Sequence, residues 1–151
     1  MKRVLITLFF AVVTSLAIGQ MKSPVSWTFE AKKKTVDTYE IIATANVDKP
    51  WHIYSQNTGK GGPVPTKISL KSNPLISVTK GNAKEIGKLE KTFDKNFDTD
   101  VLFFSDKVQF VQIVKVKGGI KTNVSGTVEY MVCDDSKCLP PVKKTFDLKL
   151  Q

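Results

Sequence analysis

The sequence has few of the residues from which metal and hydrolytic sites are built. It contains two cysteines and one histidine, His52. A structural zinc site takes four Cys or His ligands, so this set is too small and we predict no metal and no separate cofactor. Nothing marks the third, orienting residue or the oxyanion hole that a Cys–His hydrolase requires.

Arginine is nearly absent as well. Arg3 is the only one, and every other basic residue is a lysine. Proteins that recognise nucleic acids use arginine for bidentate hydrogen bonds to guanine and phosphate, so we predict no nucleic-acid partner. The lysines are scattered, with a single run of three at residues 32–34. The net charge of +9 therefore indicates a solvated surface that attracts acidic partners weakly.

Long apolar runs are missing after residue 19. At the N-terminus, Lys2 and Arg3 precede a mostly apolar stretch, residues 4–16, and the small residues of Ala17-Ile-Gly19 follow. This order is typical of a secretory signal peptide, and its apolar part is shorter than the ~20 residues that span a bilayer. We predict a signal peptide at 1–19 and one exported domain at 20–151, with no transmembrane segment in the mature chain.

Helical periodicity is also missing, because no amphipathic segment of ten residues occurs after residue 19. Alternating apolar and polar residues predict short strands instead. These lie at residues 26–32, 38–47, 67–70, 76–79, 101–104, 108–116, 122–132 and 143–150. Residues 80–100 show no clear period, and the pattern around Gly126 suggests a β-bulge. The spacing of strands and turns predicts an all-β fold, an antiparallel β-sandwich.

The two cysteines, Cys133 and Cys138, stand four residues apart near the end of the chain. Outside the cytosol such a pair oxidises, and so short a ring stabilises a fold by only about 2 kcal/mol in the chain-entropy estimate. This favours a disulfide that opens and closes. The alternative is a non-catalytic binding or assembly domain with a structural disulfide. Its reduction potential would lie at roughly −300 mV or below, and that of a carrier higher.

Charges beside the two cysteines predict different roles for them. Asp134 and Asp135 follow Cys133 and disfavour its thiolate, whereas Lys137 precedes Cys138 and favours the thiolate there. Cys138 is therefore the expected attacking sulfur and Cys133 the resolving one. The alternative interpretation of the acidic pair is an ordinary hydrophilic hairpin tip.

The cysteine region resembles a known family. The run Val128-Glu-Tyr-Met-Val-Cys133, followed after four residues by Cys138-Leu-Pro-Pro141, resembles the N-terminal periplasmic domain of the thiol:disulfide interchange protein DsbD. The segment Trp51-His-Ile-Tyr54 is similar to an aromatic-x-x-Tyr segment of that family, and the resemblance extends from about residue 26 to 150. It implies an immunoglobulin-like sandwich in the periplasm that acts as a thiol:disulfide oxidoreductase.

The resemblance also implies partners. Family members take electrons from a thioredoxin-like domain of a membrane transporter and pass them to disulfide isomerases and to the thioredoxins of cytochrome c maturation. The present sequence contains neither the membrane part nor a thioredoxin-like domain, so we expect it to meet its donor as a separate protein. Cys138 matches the cysteine that bonds to partners.

The same resemblance implies further site residues. It places His52 and Tyr54 beside the disulfide, where tyrosine is usual at both positions, so His52 is a departure. The alternative for His52 is a plain strand residue at the surface. The family covers its disulfide with a phenylalanine of a cap loop, a role that Phe93 or Phe97 can fill. The alternative for either is a core residue of a long loop.

Overall fold

The computed structural model describes residues 23–151, so the predicted signal peptide and its cleavage site lie outside the described residues. This part of the chain folds into eleven strands and one 3₁₀ turn, with no α-helix, which confirms the predicted all-β class. No helix there is long and apolar enough to span a membrane. The strands are β1 Val25–Lys33, β2 Thr38–Val47, β3 His52–Tyr54, β4 Lys67–Leu70, β5 Ile76–Val78, β6 Lys84–Gly87, β7 Glu90–Asp94, β8 Thr99–Phe104, β9 Lys107–Val116, β10 Thr122–Cys133 and β11 Cys138–Leu150.

The strands form two antiparallel sheets that pack face to face. The first has the order β1-β2-β9-β5, with β6 also paired to β9. The second has the order β11-β10-β3-β8-β7, with β4 also paired to β10. The predicted β1–β2 hairpin is present, with Val25 opposite Val47 and Lys33 opposite Tyr39.

Alternate residues of the long strands fill the space between the sheets. On β9 the buried positions include Val108, Phe110 and Val114, and on β10 they include Val128 and Tyr130. Because neighbouring residues of a strand point to opposite faces, this alternation sends one apolar set inward. Trp27 of β1 fills the gap between the sheets, with its ring centroid 5.9 Å from that of Phe110 and 5.2 Å from that of Tyr130.

Residues 80–100 are more regular than their sequence suggests. They hold β6, which pairs with β9, and β7, which pairs with β8 and forms the edge of the second sheet. Four of the five β7 side chains are polar, and the fifth, Phe93, is exposed. An edge strand with no fully buried residue shows no apolar alternation, and the hairpin was therefore not predicted.

The expected bulge at Gly126 is wrong. Gly126 stays in register with Phe146 on one side and Leu70 on the other. A Cβ at this position would lie 2.5 Å from Cζ of Phe146, so the glycine makes room for that ring.

The irregularity occurs beside the cysteines instead. Tyr130 pairs with Val142 and Val132 with Leu139, so two prolines of β11, Pro140 and Pro141, lie opposite the single residue Met131. Proline has no backbone N–H to give to a ladder, and a bulge is one of the few places where a paired strand tolerates it. The closing strand thus begins at Cys138, five residues before the predicted start.

Candidate functional site

The two cysteines face each other across the β10–β11 hairpin. Cys133 ends β10, Cys138 begins β11, and the two are paired directly opposite one another. Their sulfurs form a disulfide with an S–S distance of 2.04 Å. The bridge therefore joins two strands that the backbone ladder already holds together. It adds little to the connectivity of the fold.

A single carboxylate organises the loop between the cysteines. Asp134 Oδ1 accepts hydrogen bonds from the backbone N–H groups of Ser136 and Lys137, each at 2.8 Å, and from the Ser136 hydroxyl at 2.7 Å. The Asp134 N–H donates to the Lys137 carbonyl at 2.9 Å. These hydrogen bonds, above all those from Ser136, lower the pKa of Asp134. The Asp134 carboxylate is thus engaged within the loop as well as close in sequence to Cys133.

The disulfide lies on the outer face of the second sheet. Ile53 and Val132 point into the core between the sheets, so their neighbours His52 and Cys133 point the opposite way. A small apolar cluster covers this outer face. Its buried members are Tyr54, Val101 and Cys133, and Phe103, Met131 and Cys138 pack against them.

The two sulfurs differ in access. Cys133 has 1% of its surface exposed, whereas Cys138 is only half-buried. A partner's sulfur can therefore approach Cys138 and is kept from Cys133 by the surrounding cluster. Lys137 lies with its ammonium 5.7 Å from the centroid of the Trp51 ring, a cation–π arrangement that keeps a positive charge beside the loop.

His52 and Tyr54 both lie on the same outer face as the disulfide. His52 is paired directly opposite Cys133, and its Nε2 is 3.1 Å from the Tyr54 hydroxyl. The His52 ring also packs on Phe103, with the ring centroids 4.8 Å apart. Burial lowers the pKa of His52, an effect that nearby carboxylates oppose. Burial, followed by the carboxylate of Asp94, raises the pKa of Tyr54 well above its ordinary value.

A groove of about 500 Å³ opens beside the disulfide loop. Its walls come from the β7–β8 hairpin on one side and from His52, Asp134 and Asp135 on the other. Phe93 lines this groove and is 54% exposed, whereas Phe97 is half-buried and does not line it. Neither ring belongs to a core cluster. Of the two phenylalanines that the sequence offered as a cap, the groove favours Phe93, and the capping role itself stays a prediction.

Several residues around the site were not predicted. Glu85 of β6 accepts hydrogen bonds from the Ser55 hydroxyl at 2.8 Å and the Gln56 N–H at 2.7 Å, and so fixes the chain just after Tyr54. Glu90 and Asp94 of β7 bring carboxylates to the groove, and Glu90 is held by a 2.8 Å hydrogen bond from Ser105. These contacts link residues 15 to 30 positions apart. No local sequence pattern indicates them.

The fold and the site together define a β-sandwich that carries an accessible cross-strand disulfide on its outer face. The sequence profile of the family described as "Thiol:disulfide interchange protein DsbD, N-terminal" matches residues 20–150. The chain belongs to this family of thiol:disulfide interchange domains. A search of curated protein sequences finds no match.

Solved structures share the fold. The N-terminal periplasmic domain of ScsB from Proteus mirabilis aligns with a TM-score of 0.56 at 16% identity, over 85% of this chain and 47% of that one. The complex between the DsbD N-terminal and PilB N-terminal domains from Neisseria meningitidis aligns with a TM-score of 0.52 at 14% identity, over 80% of each chain. The immunoglobulin-like sandwich is thereby confirmed. The chain spans about half the length of the Proteus protein chain that it matches.

Proposed function

We propose that this protein is an exported dithiol/disulfide carrier that passes reducing equivalents to thioredoxin-like partners by thiol–disulfide exchange. The observation that carries the proposal is the position of the disulfide. It lies at the end of a hairpin, on the outer face of a sheet, with one sulfur half-buried and the other enclosed. A purely structural bridge gains nothing from an accessible sulfur beside a groove.

The accessibility of Cys138 supports a particular order of events. In the reduced protein the Cys138 thiolate attacks a disulfide of the partner, which forms a mixed disulfide and releases one partner thiolate. Cys133 then attacks the Cys138 sulfur, which restores the Cys133–Cys138 bridge and releases the second partner thiolate. Two electrons pass to the partner, and the domain is oxidised. Lys137 on Trp51 supports the attacking role of Cys138, because a nearby ammonium favours a thiolate.

The family and the groove support the proposed partners. The Neisseria structure is that of a DsbD N-terminal domain in complex with another protein domain, which supports docking of a protein partner at this site. The donor in our proposal is a thioredoxin-like domain of a membrane electron transporter. The acceptor is a disulfide isomerase or a thioredoxin of cytochrome c maturation.

The proposed compartment is the periplasm. Residues 1–19 have the signal-peptide pattern, and the Proteus domain of the same fold is described as periplasmic. The test is to express the full chain and to determine the mass of the protein recovered from the periplasmic fraction. Cleavage after Gly19 gives a product that begins at Gln20. A full-length product retained in the cytosol would contradict the proposed export.

A trapping experiment tests the exchange chemistry. The reduced Cys133→Ala variant keeps Cys138 but cannot resolve the mixed disulfide, so we expect it to accumulate a covalent complex with an oxidised thioredoxin on a non-reducing gel. The matched variant, Cys138→Ala, keeps only the enclosed sulfur and should trap little or none. Equal trapping by both variants would overturn the roles. No trapping by either would favour the structural disulfide.

The reduction potential separates the two kinds of disulfide independently of any partner. The protein is equilibrated with glutathione buffers of known composition, and the oxidised fraction is read after acid quenching and alkylation. A carrier should titrate within the range of these buffers. A structural bridge stays oxidised throughout, with a potential of roughly −300 mV or below.

A further inference from the structure

His52 faces the disulfide, yet the exchange mechanism described above gives it no task. It is paired directly opposite Cys133 on adjacent antiparallel strands, and both side chains point to the outer face of the sheet. Side chains in such a pair have their Cβ atoms about 4.5–5.5 Å apart. The two side chains therefore start from neighbouring positions on the outer face, next to the sulfur that a partner does not reach directly.

Contacts of the His52 imidazole with Tyr54 and Phe103 fix the orientation of its ring. Nε2 lies 3.1 Å from the Tyr54 hydroxyl, and the ring is held between Tyr54 and Phe103 at centroid distances of 5.3 and 4.8 Å. The Tyr54 hydroxyl can donate or accept, so it satisfies Nε2 in either tautomer of the imidazole. Within residues 23–151 no group hydrogen-bonds Nδ1. That nitrogen is free to exchange a proton.

Cys133 needs such a proton acceptor. It is enclosed, with 1% of its surface exposed, and Asp134 and Asp135 follow it directly. Burial and neighbouring carboxylates both disfavour a thiolate, yet the thiolate is the form that attacks. Resolution of the mixed disulfide therefore stalls at Cys133 unless a base removes its proton. Water has little access to do so.

We propose that His52 is the general base that deprotonates Cys133 when the mixed disulfide is resolved, and the acid that reprotonates Cys133 when the bridge is opened. The inference rests on the proposed exchange function and adds a catalytic residue to it.

Resolution exchanges one disulfide bond for another and moves one proton. The neutral imidazole takes the proton of the Cys133 thiol, and the resulting thiolate attacks the Cys138 sulfur. The Cys133–Cys138 bond forms, the bond from Cys138 to the partner sulfur breaks, and the partner leaves as a thiolate that takes a proton from water. The imidazolium returns its proton to solvent through the groove. In the reverse direction the partner thiolate opens the bridge and the imidazolium protonates the Cys133 thiolate.

The charge state of His52 depends on the groups that face it from each neighbouring element. Burial lowers the pKa of the imidazole below 6.5, so the base is neutral at pH 7. Carboxylates act in the opposite direction and keep the pKa from falling further. The facing groups are Tyr54 on β3, Glu90 and Asp94 on β7, Lys95 after β7, and Asp134 and Asp135 in the cysteine loop.

Two-phase reaction of the reduced protein with dithiodipyridine tests the proposal. This neutral disulfide releases one coloured thiopyridone when Cys138 attacks it and a second when Cys133 resolves the mixed disulfide. We expect His52→Gln to leave the first phase within twofold and to slow the second roughly tenfold or more at pH 7, since general bases contribute about 10²–10⁴-fold. Thr145→Ala, a change of an exposed β11 residue that does not line the groove, is the control and should alter neither phase.

The pH profile of the second phase separates a base from a merely structural residue. In the native protein the rate should fall as the pH drops through the lowered pKa of His52 and level off above that pKa, because only the neutral imidazole accepts a proton. In His52→Gln the rate should instead rise continuously with pH, as the Cys133 thiol itself ionises. Imidazole added to His52→Gly should restore part of the lost rate.

The outcomes separate the two proposals. Two phases in the native protein with an unchanged second phase in His52→Gln would overturn the role of His52 and leave the exchange function intact. Absence of a resolving phase in the native protein would contradict the exchange function itself. If circular dichroism shows that glutamine disturbs the fold, His52→Tyr makes the same test. It keeps an aromatic ring at the position, and an unchanged rate and pH profile in that variant equally overturn the proposal.

Discussion

The core between the sheets and the small cluster around the disulfide are built on opposite faces of the same strands. The core is broad and apolar, and the Trp27 ring packs against those of Phe110 and Tyr130. The outer cluster has three buried members, and a groove lined by four carboxylates opens beside it. Strand alternation allows this division, because Val132 and Cys133 are neighbours in sequence yet belong to different environments. Stability is concentrated on one face and reactivity on the other.

Removing a large core ring should produce the largest loss of stability. Phe110 is 1% exposed and contacts the rings of Trp27 and Phe104. We expect Phe110→Ala to lower the free energy of unfolding by about 3–5 kcal/mol, measured by urea denaturation. The folded fraction should still react with dithiodipyridine in two phases. A loss below about 1 kcal/mol would contradict the assignment of the core.

Removing the disulfide should cost less stability and abolish the chemistry. The double variant Cys133→Ala/Cys138→Ala keeps the β10–β11 ladder, so we expect a loss of about 2 kcal/mol or less in the same denaturation experiment. Exchange should vanish altogether. The reduced native protein is the control, because it lacks the bridge but keeps both thiols. A protein that fails to fold without the bridge would show that reactivity and stability are not separated.

Removing the groove phenylalanine should change access and leave stability almost untouched. Phe93 is 54% exposed, so Phe93→Ala should alter the free energy of unfolding by no more than about 0.5 kcal/mol. If Phe93 is the cap, alkylation of the reduced cysteines becomes several-fold faster. Phe97→Ala is the matched variant and should alkylate at the native rate, because Phe97 does not line the groove. Unchanged alkylation in both variants would refute the cap.

The smallest effect concerns the loop carboxylate. Hydrogen bonds from Ser136 and the Lys137 N–H lower the pKa of Asp134 in the folded state below 3.8, so its contribution to stability is present above that pH. The contribution is lost as the pH falls through the lower, folded value. We expect the amide NMR signals of Ser136 and Lys137 to shift together below pH 3.8. Signals that move only above that pH would show that the carboxylate is not held by these bonds.

The sequence predicted the parts of the fold that alternate. Strands β1, β9 and most of β10 bury one face, and a period of two is visible in each, whereas β2 is buried on both faces at residues 41–45. It did not predict β7, which is an edge strand without a buried residue, and it misplaced the bulge because Gly126 breaks the apolar pattern without breaking the register. The prolines that mark the true bulge were visible in the sequence. Their partner across the ladder was not.

The sequence predicted those site residues whose chemical role is indicated by their immediate neighbours in the chain. The cysteines, the aspartates between them and the aromatic segment at 51–54 carry their signal in neighbouring residues. The residues that complete the groove and fix the strand after Tyr54 come from β6 and β7, through Glu85, Glu90 and Asp94. Those contacts depend on how segments that are distant in sequence pack together, so the spacing of residues along the chain does not indicate them.

The pairing of Cys133 with Cys138 across the hairpin has a consequence for recognition. Reduction removes one covalent bond, but the β10–β11 ladder and the hydrogen bonds of Asp134 that shape the loop involve neither sulfur. The oxidised and reduced proteins therefore present nearly the same surface. The shape of the domain surface therefore hardly distinguishes the oxidised from the reduced state for a docking protein. Whether an encounter is productive is decided after contact, by which of the two proteins brings the disulfide and which brings the thiolate.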